Sequence, residues 1–151
     1  MNLDAVRASS ELLSEVSGAQ LEFLESVSQE VRFAGGDVLF EEDGVADTFY
    51  IILEGKVGLE MTSPGKRPIV IQTLGDGELV GVSWLFPPHR WSWRARAVTD
   101  TAAIAFDAAR VRAQSELDRE LAHRLLGVVA KEAITRLHST RVQLLDLYGT
   151  K

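Results

Sequence analysis

The feature that most constrains the fold is a series of closely spaced turn signals between residues 31 and 106. They read GGD, EDG, EGK, SPGK and GDG, at residues 35–37, 42–44, 54–56, 63–66 and 75–77. Between them lie short apolar runs, VLF, FYIIL, VGLEM, PIVIQTL and TAAIAF. Short strands separated by such turns indicate an all-β barrel or sandwich, not βαβ units.

Helical periodicity precedes this region. Within residues 9–31, leucines and valines recur at helical spacing, and Gly18 divides the segment into two short helices. Ser17 is followed three residues later by Gln20, the spacing of a capping box. We therefore expect N-terminal helices, the second of which begins at this box.

A longer helical zone follows the strands, over residues 107–148, and Asp107 can cap its start. Apolar residues recur there in alternating steps of four and three, a coiled-coil seam with one polar core position at Thr140. This pattern predicts a homodimer through residues 121–147. The alternative is that the same stripe packs on its own β-domain. The seam consists of Leu126, Ala130, Ala133, Leu137, Thr140, Leu144 and Leu147.

Length and composition place the chain among globular proteins with a single core. With 151 residues, 46% hydrophobic and 25% charged, it is predicted to be one domain spanning residues 1–151. The absence of cysteine excludes disulfides and cysteine-held clusters. No apolar run approaches the ~20 residues of a membrane helix. The N-terminus does not resemble an export signal, so we expect a cytoplasmic protein.

The net charge of −6 is unevenly distributed. Residues 1–63 carry 13 acidic and three basic side chains, whereas three arginines and a histidine lie within residues 89–96. Without a broad basic face, the chain is predicted not to bind DNA directly. A small anion needs only a local cluster, which residues 89–96 supply. The three histidines lack metal-ligand spacing, and no catalytic triad or carboxylate pair stands out. Neither a metal site, a resident cofactor nor enzymatic activity is therefore predicted.

Glycine and aromatic residues stand at characteristic positions along the predicted strands: Phe33, Gly36-Asp37-Val38-Leu39-Phe40, Glu42-Asp43-Gly44, Phe49-Tyr50-Ile51-Ile52, Glu54-Gly55-Lys56-Val57, Leu74-Gly75 and Gly77-Glu78-Leu79. With the order of elements, they resemble the cyclic nucleotide-binding domain of the catabolite activator and FNR superfamily, over about residues 10–148. The resemblance implies a jelly-roll-like β-roll, a double-stranded β-helix, with N-terminal helices and a long C-terminal helix.

In that family the segment after the Gly-Glu pair is a phosphate-binding cassette. A short helix over residues 80–86 would offer the unpaired amides of its first residues to an anion. Glu78 is expected to accept hydrogen bonds from a ribose hydroxyl, and an arginine to contact phosphate with two donors. A polar residue of the long helix can reach the base, a role for Thr140. The implied ligand-binding residues are Glu78, Leu79, Val80, Gly81, Val82, Arg90, Trp91, Ser92 and Thr140.

The cassette departs from the family pattern, which ends in Arg, then Ser or Thr, then Ala. Two registers fit the sequence. With a longer double-proline loop, Arg90 takes the phosphate position and Trp91 replaces the small hydroxyl residue. Counted back from the last strand, Trp91 falls in the arginine position and Ser92 matches the serine. Arg94 or Arg96 would then have to reach the ligand with a different geometry.

Residues 90–97 also have a simpler interpretation. On an extended strand, Arg90, Ser92, Arg94 and Arg96 share one face, and the tryptophans and alanines share the other. That pattern fits a half-buried strand whose basic face meets solvent or the acidic N-terminal half.

Two functions are therefore expected from the sequence. The first is a sensor domain for a cyclic nucleotide, cAMP or a relative, that acts by a ligand-linked change of the C-terminal helix and dimer face. The second is a ligand-free structural or interaction domain that retains the β-roll. Full-length regulators of the superfamily place a helix-turn-helix domain after the long helix, roughly where this chain ends. We expect either a stand-alone domain with an unidentified output protein or a truncated regulator.

Overall fold

A computed structural model describes residues 3–149, without the side chains of residues 143, 144 and 147–149. A 3₁₀ helix (Leu3–Ser9) leads into α1 (Glu11–Glu15) and α2 (Gly18–Ser26). Eight strands follow: β1 (Ser28–Phe33), β2 (Val38–Phe40), β3 (Thr48–Glu54), β4 (Val57–Met61), β5 (Ile69–Leu74), β6 (Leu79–Val80), β7 (Arg94–Ala97) and β8 (Thr101–Asp107). A second 3₁₀ helix (Ser83–Leu85) lies between β6 and β7. Helices α3 (Ala108–Leu117) and α4 (Arg119–Gly149) complete the described chain.

The predicted helix starts are confirmed. The Ser17 side chain accepts from the Gln20 amide, and the Gln20 side chain accepts from the Ser17 amide. Asp107 caps α3 through the Arg110 amide. Residues 28–31, which the predicted helical zone included, belong instead to β1. They pair with β8, from Ser28 opposite Phe106, and so gain a long-range partner that local periodicity does not reveal.

The predicted mainly-β fold is confirmed as two four-stranded antiparallel sheets. One has the order β1-β8-β3-β6 and the other β2-β7-β4-β5. Their facing sides enclose an interior cluster that includes Tyr50, Ile52, Val57 and Leu59. The opposite side of the first sheet carries Phe49, Ile51, Ile104 and Phe106, which pack with the N-terminal helices and α4. Side chains therefore fill the interior of the roll, and helices cover the outer side of the first sheet.

Helix α4 presents different faces to the roll and to its surroundings. Leu121, Leu125, Val128 and Val129 are buried against the rest of the chain. Along the predicted seam, Leu126 is 48% exposed and Leu137 is 70% exposed, and Ala130 and Ala133 are exposed as well. The seam is therefore not the stripe that packs on the β-domain, contrary to the simpler interpretation. The side chains of Leu144 and Leu147 lie outside the described residues.

No helix within residues 3–149 is both long enough and apolar enough to cross a membrane.

Candidate functional site

The segment after the Gly-Glu pair forms a tight turn, not the expected helix over residues 80–86. Leu79 and Val80 form β6 and pair with Ile51 and Tyr50 of β3. The backbone then turns at Gly81 (φ 98°), and only Ser83–Leu85 are helical, as 3₁₀. Pairing of β6 with β3 is the reason for the shorter helix, since it holds residues 79 and 80 in extended conformation.

Two aromatic side chains fix the cassette turn. The Trp84 indole donates to the carbonyl oxygen of Gly81 at 3.1 Å and stacks on Phe49 at 4.0 Å between ring centroids. Trp84 is fully buried. The turn is therefore part of the hydrophobic core, and its geometry is set by packing.

Trp91 occupies the space in front of Gly81. Its indole is 4% exposed and stacks on Phe40, with centroids 3.9 Å apart. A Cβ built on Gly81 would lie 2.5 Å from Cζ3 and 2.7 Å from Cη2 of Trp91. Of the two registers, the structure thus has Trp91, and not Arg90, next to the cassette glycine. Ser92 is exposed, and its hydroxyl lies 3.1 Å from that of Ser83.

Backbone hydrogen bonds hold the Trp91 loop on the turn at residues 42–44. Asp43 donates its amide to the Trp91 carbonyl at 2.7 Å, and Trp91 donates its own amide to Gly44 at 2.9 Å. Next to this pair of hydrogen bonds, the Ala46 amide donates to the carbonyl of His89 at 2.7 Å. The position of the indole is thus supported by main-chain pairing as well as by stacking.

The arginines that follow the double proline are all engaged within the chain. Arg90 is exposed and donates from Nη1 to the Asp43 carbonyl at 2.9 Å. Arg94 and Arg96 donate from Nε to the same carboxylate oxygen of Glu60, at 2.9 and 3.3 Å. The predicted alternation holds in β7, where both arginines are half-buried on one face and the alanines are buried on the other. Glu60, on the outer face of its sheet, is therefore the shared partner of Arg94 and Arg96, and Arg94 also lies 3.7 Å from Glu41.

Glu78 faces a different part of the molecule. Its Oε1 accepts from the Gly75 amide at 3.1 Å, closing the GDG turn. The exposed side chain lines a pocket of about 210 Å³ together with residues of the N-terminal segment and of α4, among them Ser9, Glu11, Val128 and Glu132. Gly77 next to it is packed so closely that a Cβ would lie 1.8 Å from the Ser9 carbonyl oxygen. The Gly-Glu pair thus has a structural role at the contact with the N-terminal segment.

Thr140 lies beyond the part of α4 that packs on the roll. Its hydroxyl donates to the Arg136 carbonyl of its own helix at 2.9 Å. It lines a shallow apolar groove with Ile134 and Leu137 on the exposed side. The structure therefore does not bring Thr140 together with Gly81 and Trp91.

The polar residues of α4 that do meet the roll were missed by the sequence reasoning. Arg136 is only 5% exposed and donates from Nε to Gln72 of β5 at 3.3 Å. Glu132 precedes it by one helical turn. Among the described residues, Glu132 Oε2 and Arg136 Nη2 are buried without a hydrogen-bond partner. The signal was available, because the helical spacing of the buried face continues from Leu125 by a step of three to Val128, and from there by steps of four to Glu132 and Arg136.

Burial perturbs the titration of both groups. It raises the pKa of Glu132, with a further increase from the negative charges of Glu78 and Glu11, although the Arg136 guanidinium acts in the opposite direction. Burial likewise lowers the pKa of Arg136, and Glu132 partly counteracts this effect. Both ionised forms are thus less favourable here than in water.

Comparison with known families gives a match over most of the strands. Residues 30–117 match the family model of the cyclic nucleotide-binding domain. The match includes the cassette turn, the Trp91 loop and α3.

Similar proteins include transcriptional regulators and a solved domain of the same size. The CRP-like cAMP-activated global transcriptional regulator of Mycobacterium tuberculosis is 27% identical over 148 residues, 98% of this chain. The chain spans 64% of the length of that relative. A Geobacter metallireducens structure described as a cyclic nucleotide-binding protein has a TM-score of 0.81 and 28% identity, covering 91% of this chain and 99% of that one. The catabolite activator protein of Thermus thermophilus has a TM-score of 0.71 and 26% identity, covering 91% and 63%.

Proposed function

Because the chain belongs to the cyclic nucleotide-binding domain family, we propose that it is a regulatory domain and not an enzyme. In this proposal Trp91 closes the cassette side of the roll, and the domain acts without a cyclic nucleotide. The observation that carries the proposal is the contact of Trp91 with Gly81. An anion approaching the amides of this turn would meet the buried indole of Trp91, and a phosphate there would lose its hydration without gaining a cation.

The arginines support the same conclusion. A bound phosphate needs a guanidinium that is free to give two donors. Arg94 and Arg96 are committed to Glu60, and Arg90 donates to a carbonyl on the surface. Releasing Arg94, whose side chain is 16% exposed, would leave the buried Glu60 carboxylate with one partner fewer. The ligand would have to supply that free energy.

The second candidate is the cyclic nucleotide sensor, and the family match together with the cAMP-activated relative favours it. In this function the amides of Val80, Gly81 and Val82 hold phosphate and Glu78 holds a ribose hydroxyl. Arg90 neutralises the ligand after Trp91 has moved out of the cassette. Binding would then shift α4 between two packings.

Calorimetry and thermal shift with cAMP, cGMP and cyclic dinucleotides separate the two candidates. A ligand at 100 times its Kd stabilises the folded state by about 2.7 kcal/mol. If the roll is closed, none of these nucleotides should give a heat of binding or a shift in melting temperature, either in the wild-type protein or in the Arg90→Ala and Glu78→Ala variants. A shift in the wild type that either substitution abolishes would establish the sensor instead.

The output of the domain is proposed to be a homodimer through residues 121–147 that contacts a further, unidentified protein in the cytoplasm and does not bind DNA directly. The exposed seam supports this, because contiguous apolar surface on a lone subunit favours association. Leu137→Asp is expected to give a monomer at micromolar concentration in analytical ultracentrifugation. Leu117→Asp is the matched control, because Leu117 is 84% exposed at the end of α3. A dimer that survives Leu137→Asp would refute the interface.

A further inference from the structure

The face of α4 that packs on the roll changes from apolar to charged halfway along the contact. Its first three turns bury Leu121, Leu125, Val128 and Val129, all at most 5% exposed. The next positions on the same face are Glu132 and Arg136. The helix is therefore attached by two kinds of contact, one apolar and one polar, in sequence along its length.

The polar contact is incompletely satisfied. Arg136 has one hydrogen bond to the roll, from Nε to Gln72 of β5. Its Nη2 and the Oε2 of Glu132 are both buried without a partner among the described residues. A buried polar group without a partner costs free energy, and burying a charge costs more unless it is well paired. This contact is consequently much weaker than the apolar one that precedes it.

Beyond Arg136 the described side chains of α4 leave the roll. Leu137 is 70% exposed, Val142 43% and Leu145 63%. The neighbouring ion pair of Lys131 with Glu11, at 2.6 Å, has side chains 71% and 46% exposed, and exposed pairs of this kind contribute little.

We propose that the Glu132–Arg136 pair is a polar latch, by which the middle of α4 docks weakly on β5 and detaches while the apolar segment 121–129 stays in place. The inference concerns the helix alone and does not depend on what the roll binds. The latch sets where a change in the position of α4 begins, namely at residue 132, just before the exposed groove of Ile134 and Leu137.

Hydrogen exchange of the full chain tests the latch through the double variant Glu132→Leu/Arg136→Met. Replacing the two buried charged side chains by apolar residues of similar size removes their desolvation cost, so amides of residues 130–142 are expected to exchange at least about fivefold more slowly. Amides of residues 121–129 should change little. The matched control is Glu120→Leu/Arg124→Met, an exposed pair with the same spacing on the same helix, 2.9 Å apart, which should leave residues 130–142 unaffected.

The outcomes separate a latch from ordinary fraying or from a stabilising ion pair. If the Glu132→Leu/Arg136→Met variant leaves exchange over residues 130–142 unchanged, the helix simply frays. Faster exchange, or loss of the folded state by circular dichroism, would mean that the pair holds the structure together. Any of these results overturns the proposal. Sedimentation of each variant at the concentration used ensures that the oligomeric state is the same.

The pH dependence of the wild-type protein gives a second, independent measurement. The charged groups around Glu132 are Arg136 on its own helix, Glu11 on α1 and Glu78 before β6. Because the pKa of Glu132 is raised in the docked state, protonation favours docking, and docking weakens as the pH rises through that pKa. Protection factors over residues 130–142 should fall with rising pH relative to those over residues 121–129. A constant ratio between the two segments would contradict the latch.

Discussion

The contact of Trp91 with Gly81 can be measured as a free energy by a double-mutant cycle of Gly81→Ala and Trp91→Phe. Gly81→Ala has two costs. A positive φ of 98° is unfavourable for alanine by about 1–2 kcal/mol. The new Cβ would also meet Cζ3 and Cη2 of Trp91 at 2.5 and 2.7 Å, and overpacking of this kind costs about 1–3 kcal/mol. We expect a loss of about 2–5 kcal/mol in total.

Trp91→Phe removes the two indole atoms that the new methyl group would meet. Alone, it should cost about 1–2 kcal/mol, less than a truncation to alanine, because part of the ring remains. In this background only the backbone cost of Gly81→Ala is left. The two substitutions should therefore be coupled by about 1–3 kcal/mol, with the double variant more stable than additivity predicts.

Urea unfolding followed by far-UV circular dichroism gives the four free energies of unfolding. Gly36→Ala is the matched control, because Gly36 has a similar φ of 96° and a Cβ there would have no neighbour within 4 Å. It should cost only the backbone contribution, and equally in both backgrounds. Additivity of Gly81→Ala and Trp91→Phe within about 0.5 kcal/mol would show that the indole does not fill the cassette in solution, and the closed roll would be refuted with it.

Two further predictions concern the charges and caps of the fold. Glu60→Gln should destabilise the protein by about 2 kcal/mol in urea unfolding, because it leaves Arg96 without a carboxylate and Arg94 with only the more distant Glu41, at 3.7 Å. The loss is moderated because the Arg96 side chain is 37% exposed. Glu120→Gln breaks an exposed pair and should cost less than about 1 kcal/mol, so equal losses would contradict this ranking. Ser17→Ala should lower the free energy of unfolding by about 1 kcal/mol. Because Gln20 takes part in the same cap, Gln20→Ala should cost less in the Ser17→Ala variant than in the wild-type protein. Strictly additive losses would argue against a shared cap.

The strands and helix starts could be predicted because their signals are local. Five apolar runs between turn residues correspond to β2, β3, β4, β5 and β8, and the Ser17 and Asp107 caps are encoded within four residues. By contrast, local periodicity predicts a helix for residues 28–31, because it contains no information on their pairing partners in β8, which lie 72 to 78 residues further along the chain. Only the tertiary pairing makes the segment extended, which is the usual way in which context overrides a local pattern.

The candidate site was less predictable, since its side chains depend on contacts between distant segments. The Gly77-Glu78 pair fits a ligand site by residue type, yet Gly77 is required by the approach of Ser9 and Glu78 closes the Gly75 turn. Which of Arg90 and Trp91 faces the cassette is decided by the stacking of Trp91 on Phe40 and by main-chain bonds to the turn at 42–44. A residue-type pattern contains neither piece of information.

The concentration of arginines in an acidic chain has an explanation that does not require a ligand. Glu60 is 8% exposed on the outer face of its sheet, where a lone carboxylate would be strongly destabilised. Arg94 and Arg96 lie on the strand next to it, two residues apart, so both side chains reach the same oxygen. The two arginines are thus accounted for by one buried acid, and their positions follow from strand pairing. A phosphate would have to compete with that carboxylate from the other face of the sheet, where the roll is filled by aromatic and aliphatic side chains.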